Sequence, residues 1–338
     1  MNIFYLLSGI LVLIAIGVDF FYTTLSFNGA GHLTRFTNRA LSGLFLFLNR
    51  YIPNRSVLKY AGVTHILCLI VLWIGSLWFG FFLLLMSTPA SVIEAGTGTA
   101  AGAFTKLYFS GYTLSTLGMG DYIPGTEAWQ VVTSVFSFAG FIFITTAMTY
   151  LMSLTKAVIH KKNLALFISN LGDSPEEIVL NSYLDHKPKL LVDRIPMLQD
   201  MINSHNQNHF AHPAVHYFHS PAKKESFSIN LANLSEAIII ITYFIKHDSS
   251  VEKELRLLQD AISKYLVTAS HHYKPITKTA LRNTPNLESL GRQGIPTINE
   301  PVLSSADWQN IERQRAQLTG LLQSNGWNWQ HIYSKPKS

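Results

Sequence analysis

The sequence predicts an all-α membrane protein: three transmembrane helices with a re-entrant loop between the second and third, then a mainly α-helical cytoplasmic C-terminal domain. Three observations carry this reading. Apolar stretches cover residues 3–25, 62–86 and about 128–154, each long enough to cross a hydrocarbon core of about 30 Å at 1.5 Å per residue. Of 26 basic and 20 acidic residues, only six and four precede Lys156, so an apolar first half joins a second half of ordinary charge density. A glycine-bearing segment, Thr113 to Pro124, lies between the second and third apolar stretches.

The first span, Ile3 to Leu25, has no basic residues before it and no small-residue cleavage site after it, so a retained helix is expected and not a signal peptide. Asp19 lies near the cytoplasmic end of this span, where solvation or pairing with an arginine such as Arg35 would relieve its charge. Leu33 to Tyr51 is too short and too charged to cross; arginines at its ends and apolar residues between them predict an interfacial helix. His65 falls near the inner end of the second span and is expected at the interface. Cys68 is the sole cysteine, which excludes an intramolecular disulfide.

Loop charge orients the spans. The connection 28–61 carries Arg35, Arg39, Arg50, Arg55 and Lys59, the loop 88–102 carries no Lys or Arg, and 156–162 carries three lysines. The excess of positive charge marks the cytoplasmic side of a cell membrane, which places the N-terminus outside and the C-terminus inside. Lys156, Lys161 and Lys162 are expected to face anionic lipid. The formal charge of +6 does not point to nucleic acid, because no basic run is interleaved with stacking aromatics. No span repeats arginine at every third position, which argues against a voltage sensor.

The run Thr113-Leu114-Ser115-Thr116-Leu117-Gly118-Met119-Gly120-Asp121 suits a backbone that turns its carbonyls inward, since the two glycines tolerate angles other residues resist. Carbonyl oxygens presented in this way can replace the water shell of a bare cation. The segment resembles the selectivity filter of the potassium channel family, reading TLGMGD where that family usually reads TVGYGD. The resemblance extends to Ala103–Ser115, similar to the pore helix, to Ile123-Pro124, similar to the outer turn, and to Gly140, placed 20 residues beyond Gly120 like the family's glycine hinge. It covers about residues 61–156.

The resemblance implies a homotetramer surrounded by membrane lipid. Thr116, Leu117, Gly118, Met119 and Gly120 would line the filter, supported by Ser115, Tyr112 and Asp121, with Gly140 as gating hinge. Asp121 would hold the outer end through a hydrogen bond to the pore helix. Apolar stretches, loop charge and the resemblance together divide the chain into four expected segments: an N-terminal span 1–27, an interfacial segment 28–60, a pore module 61–160 and a cytoplasmic regulatory domain 161–338. Permeant potassium is expected and no cofactor.

Met119 departs from the family's tyrosine. It is flexible and has no hydroxyl to brace the filter, which leaves a potassium channel and a poorly selective monovalent cation channel both open. A third reading is a non-conducting sensor or accessory subunit that uses the pore fold as an anchor. Lys106, at the start of the pore helix, is expected to face lipid or to pair with Glu94.

The cytoplasmic half carries less chemistry, and its ligand is unknown. Ser174-Pro175-Glu176-Glu177 and Ser304-x-x-Asp307 read as helix starts. Asn230 to Lys246 is apolar enough to be buried, and Asn230, Asn233 and Glu236 argue against a fourth span. Residues 273–303 are expected to form a long loop. His205, His209, His212, His216 and His219 recur at four, three, four and three residues. A polar surface segment, a pH-sensing cluster and a weak metal site all suit that spacing, although Pro213 interrupts it. Neither a Gly-x-Ser-x-Gly elbow nor a dinucleotide fingerprint is present, so an enzyme is not expected.

Overall fold

The computed structural model describes residues 1–26, 29–49, 51, 55, 57–184, 187–271, 273, 287–298 and 303–333. The chain divides into two units: Met1–Leu41 with Val63–Thr155, and Ser42–Gly62 with Lys156–Ser338. Much of the segment that charge patterning treated as one interfacial element, 42–62, thus groups with the C-terminal unit. Most of the predicted loop 273–303, and Arg50, lie outside the described residues.

The first unit is built from α1 (Ile3–Leu25), the start of α2 (His32–Leu48), most of α3 (Leu58–Met86), the short α4 (Ala103–Leu114) and the first part of α5 (Glu127–Ser169). Two three-residue strands, β1 (Val92–Glu94) and β2 (Tyr122–Pro124), pair antiparallel with Ile93 opposite Ile123. Uninterrupted apolar sequence makes α1 and α3 helical, and the Asn2 side chain caps the α1 N-terminus by accepting from Phe4 N at 3.1 Å. At 43 residues, α5 outruns the predicted third span; its length of about 65 Å is twice the hydrocarbon thickness. Phe20 stacks on Phe143 at 4.0 Å between centroids and meets Trp73 edge-on at 5.1 Å, which locks α1, α3 and α5 together.

Asp19 corrects its expected pairing with Arg35. It is 4% exposed and accepts from Leu33 N at 2.8 Å, Thr34 N at 3.2 Å, Thr34 Oγ1 at 2.6 Å and Trp73 Nε1 at 3.3 Å. It therefore caps the start of α2, where a carboxylate meets the free N–H groups and the positive end of the helix dipole. Lys106 likewise departs from the lipid-facing or Glu94-paired expectation. Buried to 3% exposure, its Nζ donates to Leu85 O at 3.0 Å and Thr88 O at 2.7 Å, closing the C-terminal end of α3. Glu94 instead accepts from the Thr97 hydroxyl at 2.6 Å. His65, expected at the interface, is fully buried and donates to Asn38 O at 3.2 Å.

The second unit is helical: α6 (Pro175–Ser182), α7 (Lys189–Val192), α8 (Ile195–Ala211), α9 (Phe227–Phe244), α10 (Ser249–Ala269), α11 (Leu287–Arg292), α12 (Ser305–Ser324) and α13 (Gln330–Tyr333). The predicted caps form. Ser174 Oγ accepts from Glu177 N at 3.2 Å, and Ser304 and Asp307 make a reciprocal capping box.

Four helices are long and apolar enough to cross a membrane by length and composition: α1, α3, α5 and α9. Burial separates them. The apolar windows of α1, α3 and α5 are 22%, 28% and 17% buried, whereas that of α9 is 89% buried inside its own unit. A helix apolar all round belongs either in lipid or at the centre of a core. Here α9 packs against α6, α10 and α12, and three of its polar residues find partners. Asn230 Nδ2 donates to Lys224 O at 2.8 Å, Asn233 Nδ2 to Asp173 O at 3.0 Å, and Glu236 forms a buried bidentate pair with Arg315 at 2.6 and 2.8 Å.

Candidate functional site

The filter-like segment starts where α4 ends. Ser115 N donates to Gly111 O at 3.1 Å, Thr116 N to Thr113 O at 3.0 Å and Leu117 N to Tyr112 O at 3.0 Å, so the backbone leaves the helix under tight control. Beyond this point, Thr116, Gly118 and Gly120 adopt φ of +59°, +61° and +82°. Leu117 and Met119 between them keep negative φ. Positive and negative φ thus alternate along the run. A backbone of alternating hand gathers its carbonyls on one side and its N–H groups on the other, the arrangement that makes one edge of the chain a polar concavity. Glycine adopts the left-handed conformation freely, while the β-branched Thr116 does so under strain, and strain of this kind concentrates at functional positions.

The return of the loop is pinned from two directions. Tyr112 donates its hydroxyl to Tyr122 O at 2.6 Å, and Ala95 N donates to Asp121 O at 3.0 Å. The β1–β2 pairing holds the outer rim. The Asp121 carboxylate acts on the hydroxyls of Tyr108 and Tyr112, both on α4. Ser115 Oγ donates back to Tyr112 O at 3.1 Å. Trp78, which residue patterning did not single out, ties α3 to α4 by donating to Ser110 Oγ at 2.9 Å and Leu107 O at 3.0 Å. A tryptophan inside an apolar span needs a partner for its N–H, and that was the available signal.

The residues from Ser115 to Asp121 are all exposed on the single chain, with Leu117 65% and Met119 58% accessible. A cavity of about 600 Å³ lies beside the loop, lined by Tyr112, Thr116, Gly118 and Gly120 together with Ser137 and Phe138 of α5. Gly140 stands where α5 touches the end of α4: a Cβ there would overlap the Leu114 carbonyl oxygen. The α-helix continues unbroken through it. The structure therefore gives Gly140 a contact role, which spacing from Gly120 alone does not reveal.

The five histidines are not a surface segment. His205, His209, His212 and His216 are buried, because α8, the 3₁₀ turn Pro213–Tyr217 and α10 close over them; His219 is half-buried and bonds Asn325 Oδ1 at 3.0 Å. Among the described residues, no group of three or more His, Cys, Asp or Glu is placed to hold a metal ion. His205 is fully buried with Phe227 and Tyr265 rings at 4.5 and 5.1 Å, and neither ring nitrogen has a hydrogen-bond partner among the described residues. The charged groups that face it, His209, His160 and Lys161, are all cationic or potentially so. Burial first, and then these neighbours, hold its pKa well below 6.5.

An acid-sensitive fold follows. His205 stays neutral in the folded chain and takes up a proton on unfolding, so its contribution is complete above about pH 6.5 and is lost as pH falls below that value. The thermal midpoint of the purified protein is expected to drop on acidification from about pH 7 to 5, at a slope of up to about 1.4 kcal/mol per pH unit for this group. His205→Phe, which keeps the aromatic contacts, should flatten the slope; an unchanged pH profile in that variant would remove His205 as its source.

Comparison with known proteins places the chain. The family described as Ion channel matches residues 66–157, the region that holds α4, the loop and most of α5. Over 342 aligned residues the chain is 31% identical to the membrane protein YdjJ of Bacillus subtilis (strain 168), an uncharacterized protein, covering 97% of this chain and 96% of the relative. No solved structure matches the chain. The chain belongs to the family of this relative, and it is a membrane protein with an ion channel domain over residues 66–157.

Proposed function

We propose that the protein is a passive potassium channel in which four copies bring their loops around one axis. The observation that carries this reading is the alternation of backbone hand at Thr116, Gly118 and Gly120. One chain offers one edge of carbonyls, and a closed ring of such edges can replace the hydration shell of a cation. Exposure of Leu117 and Met119 on the single chain supports assembly, since apolar side chains on a filter need partners.

Thr116, Leu117, Gly118, Met119 and Gly120 form the ion path in this reading; Ser115, Tyr112 and Asp121 support it. The cytoplasmic charge excess favours three spans, α1, α3 and α5, with the N-terminus outside and the filter opening outward. Burial of α9 within its own unit supports the same count. A gating role for Gly140 takes the form of a contact: bending α5 there would part it from the Leu114 carbonyl.

Met119 favours a second reading, a channel that passes several monovalent cations, because methionine cannot brace the filter as a hydrogen-bonding ring would. Reversal potential in planar bilayers, with potassium on one side and sodium on the other, separates the two. A value near the potassium equilibrium potential is expected. A value near zero with robust current gives the nonselective channel. Absence of current from correctly folded protein would sink both and leave a non-conducting sensor or accessory subunit.

A further inference from the structure

Lys161 does not face lipid, as its place just after the third span led us to expect. Its Nζ turns into the second unit and donates to Val215 O at 3.0 Å and Phe218 O at 2.9 Å. Among the described residues, no carboxylate is placed as its partner. An ammonium has three donors, so one remains for another acceptor. This lysine lines a cavity of about 240 Å³ together with Lys59, Lys162, His219 and Ser226. Among the described residues of the lining Glu225 is the one carboxylate, and it pairs with Lys162 at 3.4 Å, a distance and an exposure at which the pair contributes little. Lys59 is exposed, with the Tyr60 ring at 5.6 Å as its neighbour.

We infer that this cavity is a binding site for a phosphomonoester group. Lys59 and Lys162, with Lys161 whose pKa burial lowers to about 7, set against Glu225 leave an excess of between one and two positive charges near neutral pH, and a phosphomonoester carries about −1.5 to −2 there and would favour the charged form of Lys161. Lysines bring compact point charges to phosphate oxygens, and charge-assisted bonds of this kind are the strong ones. The Ser226 hydroxyl lies at the start of α9, where its side chain does not cap the first turn. Positive helix-end charge there adds to the lysine field without being needed for it. The donor of the phosphate is either a free solute or the headgroup of a phosphomonoester lipid.

The full chain in detergent, titrated with inorganic phosphate against chloride at matched ionic strength, tests the site through the thermal midpoint and equilibrium dialysis. Phosphate is expected to raise the midpoint. Lys59→Gln and Lys162→Gln, both at exposed positions, should each weaken binding about tenfold. Glu225→Gln should tighten it, a change of opposite sign that general loss of folding cannot mimic. In a second arm, the chain is placed in nanodiscs of phosphatidylcholine with or without phosphatidic acid and no free phosphate. A midpoint shift with phosphatidic acid that follows the same pattern of substitutions, without one for inorganic phosphate, identifies the lipid headgroup as the source. No shift in either arm, or shifts that all three substitutions leave unchanged, would overturn the proposal.

Discussion

Gly118→Ala is expected to abolish ion flux through the reconstituted protein while the purified chain keeps its helical content and its acid-sensitive midpoint. Gly118 holds φ at +61° between neighbours of negative φ. An alanine in the left-handed region costs roughly 1–2 kcal/mol, because its Cβ meets the following carbonyl oxygen. Chain relaxation would move that residue toward negative φ and turn one carbonyl out of line. In a ring of four copies the defect occurs four times at one level of the ion path. Space is not the obstacle, since a Cβ at Gly118 meets nothing nearby on the single chain; the backbone angle is. The contrast with Gly140→Ala is informative, because there the clash is with the Leu114 carbonyl and α5 itself must move. Potassium efflux from loaded liposomes reads both. Undiminished efflux from Gly118→Ala would show that alternation of hand at this residue is dispensable.

Arg315→Leu should be the most destabilising single change in the second unit. Arg315 and Glu236 are both nearly enclosed and share two hydrogen bonds. Removing the guanidinium leaves a carboxylate in the centre of an apolar core, at a cost of about 3–5 kcal/mol. For a unit of this size the thermal midpoint would fall by about 10 °C. The double change Glu236→Met with Arg315→Leu removes both charges and should recover most of the loss, since well-packed apolar residues often replace a buried pair at no cost. A double variant no more stable than Arg315→Leu would mean that packing around the pair, and not its charge, holds α9 in place.

The sequence carried a large share of this structure where local rules decide. Apolar runs gave α1 its exact bounds and α3 within four residues, because a stretch of some twenty apolar residues has few other stable states. The caps at Ser174 and Ser304 were legible from side chains that reach their own backbone. A burial expectation for α9 followed from its composition, and the filter-like segment from glycine spacing.

Charges in apolar surroundings were misread, and for one reason. Place along the chain pointed Asp19 to solvent or Arg35, Lys106 to lipid or Glu94, Lys161 to anionic lipid, and the five histidines to a surface segment, a pH-sensing cluster or a weak metal site. Each is satisfied instead by backbone groups or enclosed by rings that come from distant positions: Thr34 for Asp19, Leu85 for Lys106, Phe218 for Lys161, Tyr265 for His205. A one-dimensional pattern reports hydropathy and spacing, which fix where helices lie and which segments turn. Free helix ends and buried carbonyls that accept a stranded charge exist only once those helices have packed. The sequence by itself determined the long apolar helices, the charge-rich second half and the glycine-bearing loop. Tertiary structure decided the partners of the buried charges, the contact at Gly140 and the lysine-lined cavity, because each depends on distances between residues far apart in the chain.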